Sequence, residues 1–202
     1  MDRAGAAAIA LVTGAGIVLR AMDAWATDLV DPDAASLAWY MVRTFTVLTN
    51  ALVFATFARI ALTGWRPGAA WVGGVTCWIL IVGIVYHLLL AKDHSPEGLG
   101  VWSNQLLHYV SPALTLIWWA IWGRGWELRL SHAVAWLAWP AAYCLYALGR
   151  GLVTGYYPYF FINPVTQGWD GVARWTALLL VAFFLGGATL VGAGRVTGRI
   201  KA

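Results

Sequence analysis

Long apolar runs separated by short polar connections dominate the chain. Six of them, at residues 4–26, 37–63, 70–91, 103–122, 132–153 and 172–193, are long enough to cross a bilayer, for which about 20 mostly apolar residues suffice. Stretches such as Trp78 to Val85 and Trp175 to Leu185 lack the two-residue alternation of a barrel strand. The pattern predicts an all-α polytopic membrane protein, a single six-helix transmembrane domain over residues 1–202. The connection from Thr154 to Gly171, with two prolines among clustered aromatics, predicts an interfacial cap.

Polar residues recur within these runs at helical spacing. Asn104, His108, Ser111 and Thr115 share one face of the fourth segment, and Arg43, Thr46 and Asn50 one face of the second. Thr13, Gly16, Arg20 and Asp23 line up in the first, Thr76, Gly83 and His87 in the third, and Tyr143, Tyr146 and Arg150 in the fifth. At about 1.5 Å rise per residue, Arg20, Arg43, His87, His108 and Arg150 fall roughly 5 to 10 Å below one surface, with Thr46 a turn deeper. A polar-lined cavity in the outer half of the bundle is the expectation, since charges in hydrocarbon are costly and turn inward. Arg20 with Asp23 reads mainly as a snorkelling ion pair, and the glycines of the spans as helix-packing positions.

Composition agrees: 61% of residues are hydrophobic and 11% charged, more apolar surface than a soluble fold of this size buries. The net charge of +4 comes from scattered helix-end Lys and Arg, without the basic stripe of a nucleic-acid surface, so no nucleic-acid partner is expected. Arg59, Arg66, Arg124, Arg129, Arg195, Arg199 and Lys201 mark alternate connections, while Asp28, Asp31 and Asp33 mark the first. The positive-inside rule then puts both termini in the cytoplasm. The first segment has features of a signal peptide but is expected to be retained. Cys77 and Cys144 lack any paired or metal-ligand spacing, and no helix carries two histidines at ligand spacing, so neither metal nor cofactor is expected.

A threonine hydroxyl becomes a nucleophile when a base takes its proton, and histidine suits that task at neutral pH. Thr46 with His108 fits the pattern. Asn50, Asn104 or Ser111 would donate to a developing oxyanion, and Arg43 or Arg150 would hold a substrate carboxylate, with His87 a further binding position. The same stripes would also line a transport path or a haem pocket.

Phe45-Thr46-Val47-Leu48-Thr49-Asn50, Asn104-Gln105-Leu106-Leu107-His108-Tyr109-Val110-Ser111-Pro112 and Tyr157-Pro158-Tyr159-Phe160 resemble bacterial six-span proteins of the Pr-six-Pr type. These are distantly similar to the androgen-induced protein and FAR-seventeen-a family, and the resemblance covers most of the chain. It implies a bacterial inner-membrane protein, a Thr nucleophile at Thr46 and a His base at His108, and hydrolysis of fatty acid esters of hydroxy fatty acids or similar lipids. Membrane lipids or a fatty acyl substrate are the expected partners. The two rival expectations are a non-catalytic carrier of lipids or small molecules and a cofactor protein ligated by His87 and His108.

Overall fold

The computed structural model describes residues 2–201, with side chains through residue 196, and every regular element among them is helical. Helix α1 (Arg3–Ala26) starts where Asp2 accepts the amides of Ala4 and Gly5, satisfying donors that have no intrahelical partner. Asp33 caps the short α2 (Ala34–Met41) in the same way, and hydrogen bonds from Ser36 and Ala35 hold its carboxyl below the usual range. Next comes α3 (Phe45–Thr63), ended by Gly64 in the left-handed conformation. Helix α4 (Ala69–Val85) runs on through a π-helical turn, Tyr86–Leu90, and a 3-10 turn, Ala91–Asp93. Helices α5 (Gly98–Gln105) and α6 (Ser111–Trp122) are joined by a second π-helical turn, Leu106–Val110. The short α7 (Leu130–Ala135) and α8 (Ala138–Thr154) follow, then α9 (Pro164–Lys201), interrupted at Gly168.

Four stretches, Arg3–Ala26, Phe45–Thr63, Ala69–Asp93 and Pro164–Val196, are long and apolar enough to cross a membrane. The segment expected at 37–63 is broken at residues 42–44, and the one at 132–153 at residues 136–137. Polarity runs inside out. Leu11, Leu62, Leu88 and Leu145 are exposed, whereas Thr13, Thr49, Asn50, Thr76, Ser111 and Thr115 are buried, as a hydrocarbon solvent requires.

Helix α1 packs on α3 and α5, and α4 on α6 and α9. A Cβ on Gly16 would meet Leu107, and one on Gly73 or Gly74 would meet the Trp136 ring, so these glycines do permit close helix approach. The Arg3 guanidinium donates to the carbonyls of Ala61 and Leu62, and Arg124 donates to that of Pro67. Those basic residues therefore share one end of the bundle.

The two π turns face each other at the opposite end. Pro112 has no N–H to offer the His108 carbonyl, and the Ser111 amide instead reaches back to Leu106, which closes the wider turn. The His108 carbonyl oxygen then lies against α4 where Gly83 presents no side chain: a Cβ there would sit 2.7 Å from it. Gly83→Ala should therefore cost about 1 to 3 kcal/mol in overpacking. Thermal unfolding in detergent should show a fall of roughly 2 to 4 °C per kcal/mol at this size. Gly149→Ala, where a Cβ meets open space, should leave the midpoint unchanged or slightly raised.

Candidate active site

Residues 42–44 leave helical geometry, and Thr44, extended at φ −110° and ψ 143°, caps α3 with its hydroxyl 3.4 Å from the Val47 amide. Thr46 consequently stands in the first turn of α3, one residue beyond Phe45. His108 sits in the middle of the π turn between α5 and α6, and the two side chains meet: Thr46 Oγ1 is 3.2 Å from His108 Nε2. On the other edge of the ring Nδ1 lies 3.2 Å from the Asn104 carbonyl oxygen. A carbonyl only accepts, so Nδ1 carries the proton and Nε2 is left to accept from the Thr46 hydroxyl. Thr44 is occupied by capping, and Thr49 is buried and accepts the Trp139 indole, so of these three threonines Thr46 alone reaches the imidazole.

Tyr86 stacks on the His108 ring at 3.9 Å between centroids and 23° between planes. Its hydroxyl is 3.1 Å from His94 Nδ1. Partial burial, and then the Arg20 charge, hold His94 below the usual histidine range.

Thr46 and His108 lie on the wall of a cavity of about 610 Å³, whose polar lining includes Arg20, Asp23, Arg43, His94 and Asn104. A second, apolar crevice of about 80 Å³ runs between α4, α8 and α9, past Ile81, Val85, Leu179 and Phe183. Thr46, Tyr86, Leu90 and Tyr159 line both spaces. Thr46 thus stands where the polar chamber meets the apolar crevice, with His108 on the chamber side.

Arg43 reaches the chamber from the break before α3. Its guanidinium lies over the ring of Tyr40 at 3.7 Å and that of Tyr156 at 4.7 Å, and its Nε is buried without a hydrogen-bond partner. Among the described residues the ion pairs are Arg20–Asp23 and Arg124–Glu127, so Arg43 is a cation held by π faces with no carboxylate of its own. Arg20 bonds both Asp23 and the Tyr40 hydroxyl on the same wall.

The other expected site residues divide. Asn104 lines the chamber and orients His108 through its carbonyl. Asn50 is buried and spends its amide on the carbonyls of Thr46 and Leu107, tying the first turn of α3 to the π turn that carries His108. Ser111 is sealed at 0% exposure, without a hydrogen-bond partner and off the chamber wall. His87 is exposed, with Nδ1 3.3 Å from the Tyr109 hydroxyl, and it is its neighbour Tyr86, the first residue of the π turn, that is buried and faces His108. Arg150 lies outside the chamber, donating to the Trp39 carbonyl and the Tyr146 hydroxyl and covering the Trp39 ring, which fastens α8 to α2. Tyr86, His94 and Tyr159 carry no helical-spacing signal, although Tyr159 stands inside the Tyr-Pro-Tyr-Phe motif. The segment expected as a cap contributes Tyr156, Pro158, Tyr159 and Phe160 to the chamber wall.

Among the described residues no three His, Cys, Asp or Glu side chains converge to hold a metal ion. Comparisons with protein-family models, with curated proteins and with solved structures give no match to this chain.

The stack on Tyr86 should restrain the imidazole. In detergent-solubilised protein with nitrogen-labelled histidine, Tyr86→Ala should broaden or double the His108 ring resonances. Tyr86→Phe, which keeps the ring and loses only the hydroxyl, should leave them close to wild type.

Proposed function

We propose that this protein hydrolyses lipid esters within the membrane, with Thr46 as nucleophile and His108 as base. The observation that carries this reading is the 3.2 Å contact between Thr46 Oγ1 and the unprotonated His108 Nε2, placed between a polar chamber and an apolar crevice. That placement suits an ester whose acyl chain lies in the crevice and whose polar part faces water. The resemblance of three motifs to intramembrane threonine hydrolases points the same way, towards fatty acid esters of hydroxy fatty acids or similar lipids.

In this mechanism the Thr46 hydroxyl loses its proton to His108 Nε2 as Oγ1 forms a bond to the ester carbonyl carbon. Collapse of the tetrahedral intermediate expels the alcohol, which takes that proton from His108. A water deprotonated by His108 then attacks the acyl-threonine, and carboxylate leaves as Thr46 regains its proton. Arg43, without a carboxylate of its own, holds an anionic group of the substrate.

Six spans complete the reading: residues 98–122, with the π turn, and 130–154, with the break at 136–137, would join the four long apolar stretches. Arg3, Arg66, Arg124 and Arg195 gather at the end opposite the chamber, which supports a bacterial inner membrane location with both termini cytoplasmic and the chamber in the outer half. A non-catalytic lipid carrier is the second reading, favoured by the unpaired Arg43, which would bind an anionic head without any chemistry. The cofactor reading finds no support, since His87 turns away from His108.

Thr46→Ala and His108→Ala should each lower hydrolysis of long-chain fatty acid esters by at least about 10³-fold and abolish labelling by a hydroxyl-directed fluorophosphonate. Thr49→Ala should retain both. Ester binding with no Thr46-dependent turnover would favour the carrier. Arg43→Gln should raise KM for esters bearing a free carboxylate by about 10-fold or more, with kcat and the KM of uncharged esters nearly unchanged.

A further inference from the structure

A threonine attacking an ester carbonyl creates an oxyanion, and a dry site must supply a donor for it. Of the donors expected from the sequence, Asn104 lines the chamber but its side chain is engaged by Tyr86, and the other two are not free either. Asn50 Nδ2 is spent on the carbonyls of Thr46 and Leu107, and Ser111 is sealed away from the chamber.

Tyr159 is placed differently. It lines both the chamber and the crevice, as Thr46 does, and its hydroxyl oxygen accepts the Phe45 amide at 3.0 Å. That amide opens the first turn of α3, beside Thr46, where the helix carries positive partial charge. With its oxygen accepting there, the phenol proton is left to donate, to the Thr46 or Tyr143 hydroxyl beside it in the empty site and to a substrate oxygen when one is present, and a donor polarised by an incoming amide is a stronger donor. The Tyr159 hydroxyl also interacts with the Thr46 side chain. Its ring is held against Phe161, stacked at 5.0 Å and 11°, and against Tyr143 at 6.2 Å, so the hydroxyl is pre-positioned rather than recruited.

Resting on the hydrolase reading, we infer that Tyr159 is a catalytic residue: its phenol donates a hydrogen bond to the carbonyl oxygen of the ester as Thr46 attacks. The carbonyl π electrons move onto that oxygen, the Thr46 proton moves to His108 Nε2, and the phenol shares its proton without transferring it. When the intermediate collapses the electrons return and the hydrogen bond relaxes.

Tyr159→Phe tests this, because it removes one oxygen and keeps the ring packing. With the p-nitrophenyl ester of a long-chain fatty acid, kcat should fall about 100-fold with KM little changed. A long-chain alkyl trifluoromethyl ketone, which Thr46 converts into a hemiketal oxyanion, should bind about 100-fold more weakly to the variant. The ether isostere of the ester, which forms no oxyanion, should bind both proteins equally. A kcat within about 3-fold of wild type, or equal weakening of ketone and ether, overturns the inference. Should Tyr159→Phe fail to fold, 3-fluorotyrosine at this position keeps the hydroxyl but ionises more easily, so the alkaline limb of kcat should move to lower pH; an unmoved limb overturns the inference. Thr46→Ala at wild-type rate removes the hydrolase reading itself, whereas Tyr159→Phe at wild-type rate beside an inactive Thr46→Ala removes this role alone.

Discussion

The stacking of Tyr86 on His108 is the contact around which the site is organised. It joins two helices that must both depart from regular geometry to make it, each through a π turn, and neither departure is useful without the other. Pro112 frees the His108 carbonyl, Gly83 leaves room for that carbonyl, and the widened turn swings the imidazole towards α3. With one face of the ring on Tyr86 and Nδ1 on the Asn104 carbonyl, orientation and tautomer are both set before any substrate arrives. Asn50 then fastens the opposite side by bonding the carbonyls of Thr46 and Leu107 at once, so the nucleophile's helix cannot slide along the base's helix without losing a buried hydrogen bond.

How much of this was legible in the sequence follows from which geometry each inference assumed. The all-helical class rested on apolar run length alone, which survives local irregularity, and the structure bears it out. Asn104 and His108 both line the chamber although His108 stands inside the π turn, whereas Ser111, expected on the same face, lies beyond that turn and off the chamber wall. Arg43 was aligned with Thr46 on the premise of an unbroken helix; in fact residues 42–44 leave the helix, and Arg43 reaches the chamber from a break instead. His87 was placed inward by ideal spacing, whereas at the start of the π turn Tyr86 is the buried residue and His87 is exposed. Arg150 sat at a fitting depth, but depth says nothing of azimuth, and Trp39 of α2 claims it. Tyr159 was beyond periodicity altogether, because a side chain on an irregular connection is positioned by what it packs against, here Phe161 and Tyr143.

Electrostatics separates the two arginines of the chamber in a way that residue type alone does not. Arg20 is neutralised by Asp23 three residues on and by the Tyr40 hydroxyl, so it belongs to the wall. Arg43 has only quadrupoles around it, and cation–π contact at an exposed site is worth about 0.5 to 1 kcal/mol, rising to about 2 when desolvated. A charge so weakly compensated remains available to an anion entering the chamber.

The division into a polar chamber and an apolar crevice bears on why such chemistry would sit in a membrane at all. An acyl chain moved from bilayer to crevice exchanges one apolar surrounding for another, so its transfer supplies little binding energy and costs little. On the proposed reading, discrimination among lipids would fall to the head: to Arg43 and to the hydroxyls and amides near Thr46. The two spaces meet at residues Thr46, Tyr86, Leu90 and Tyr159 alone, so a guest that fills both must present its bond between chain and head group at the Thr46 hydroxyl. On the hydrolase reading, positioning of that kind would act through entropy rather than tight binding, and it would account for Thr46 standing at the seam of the two cavities rather than at the floor of either.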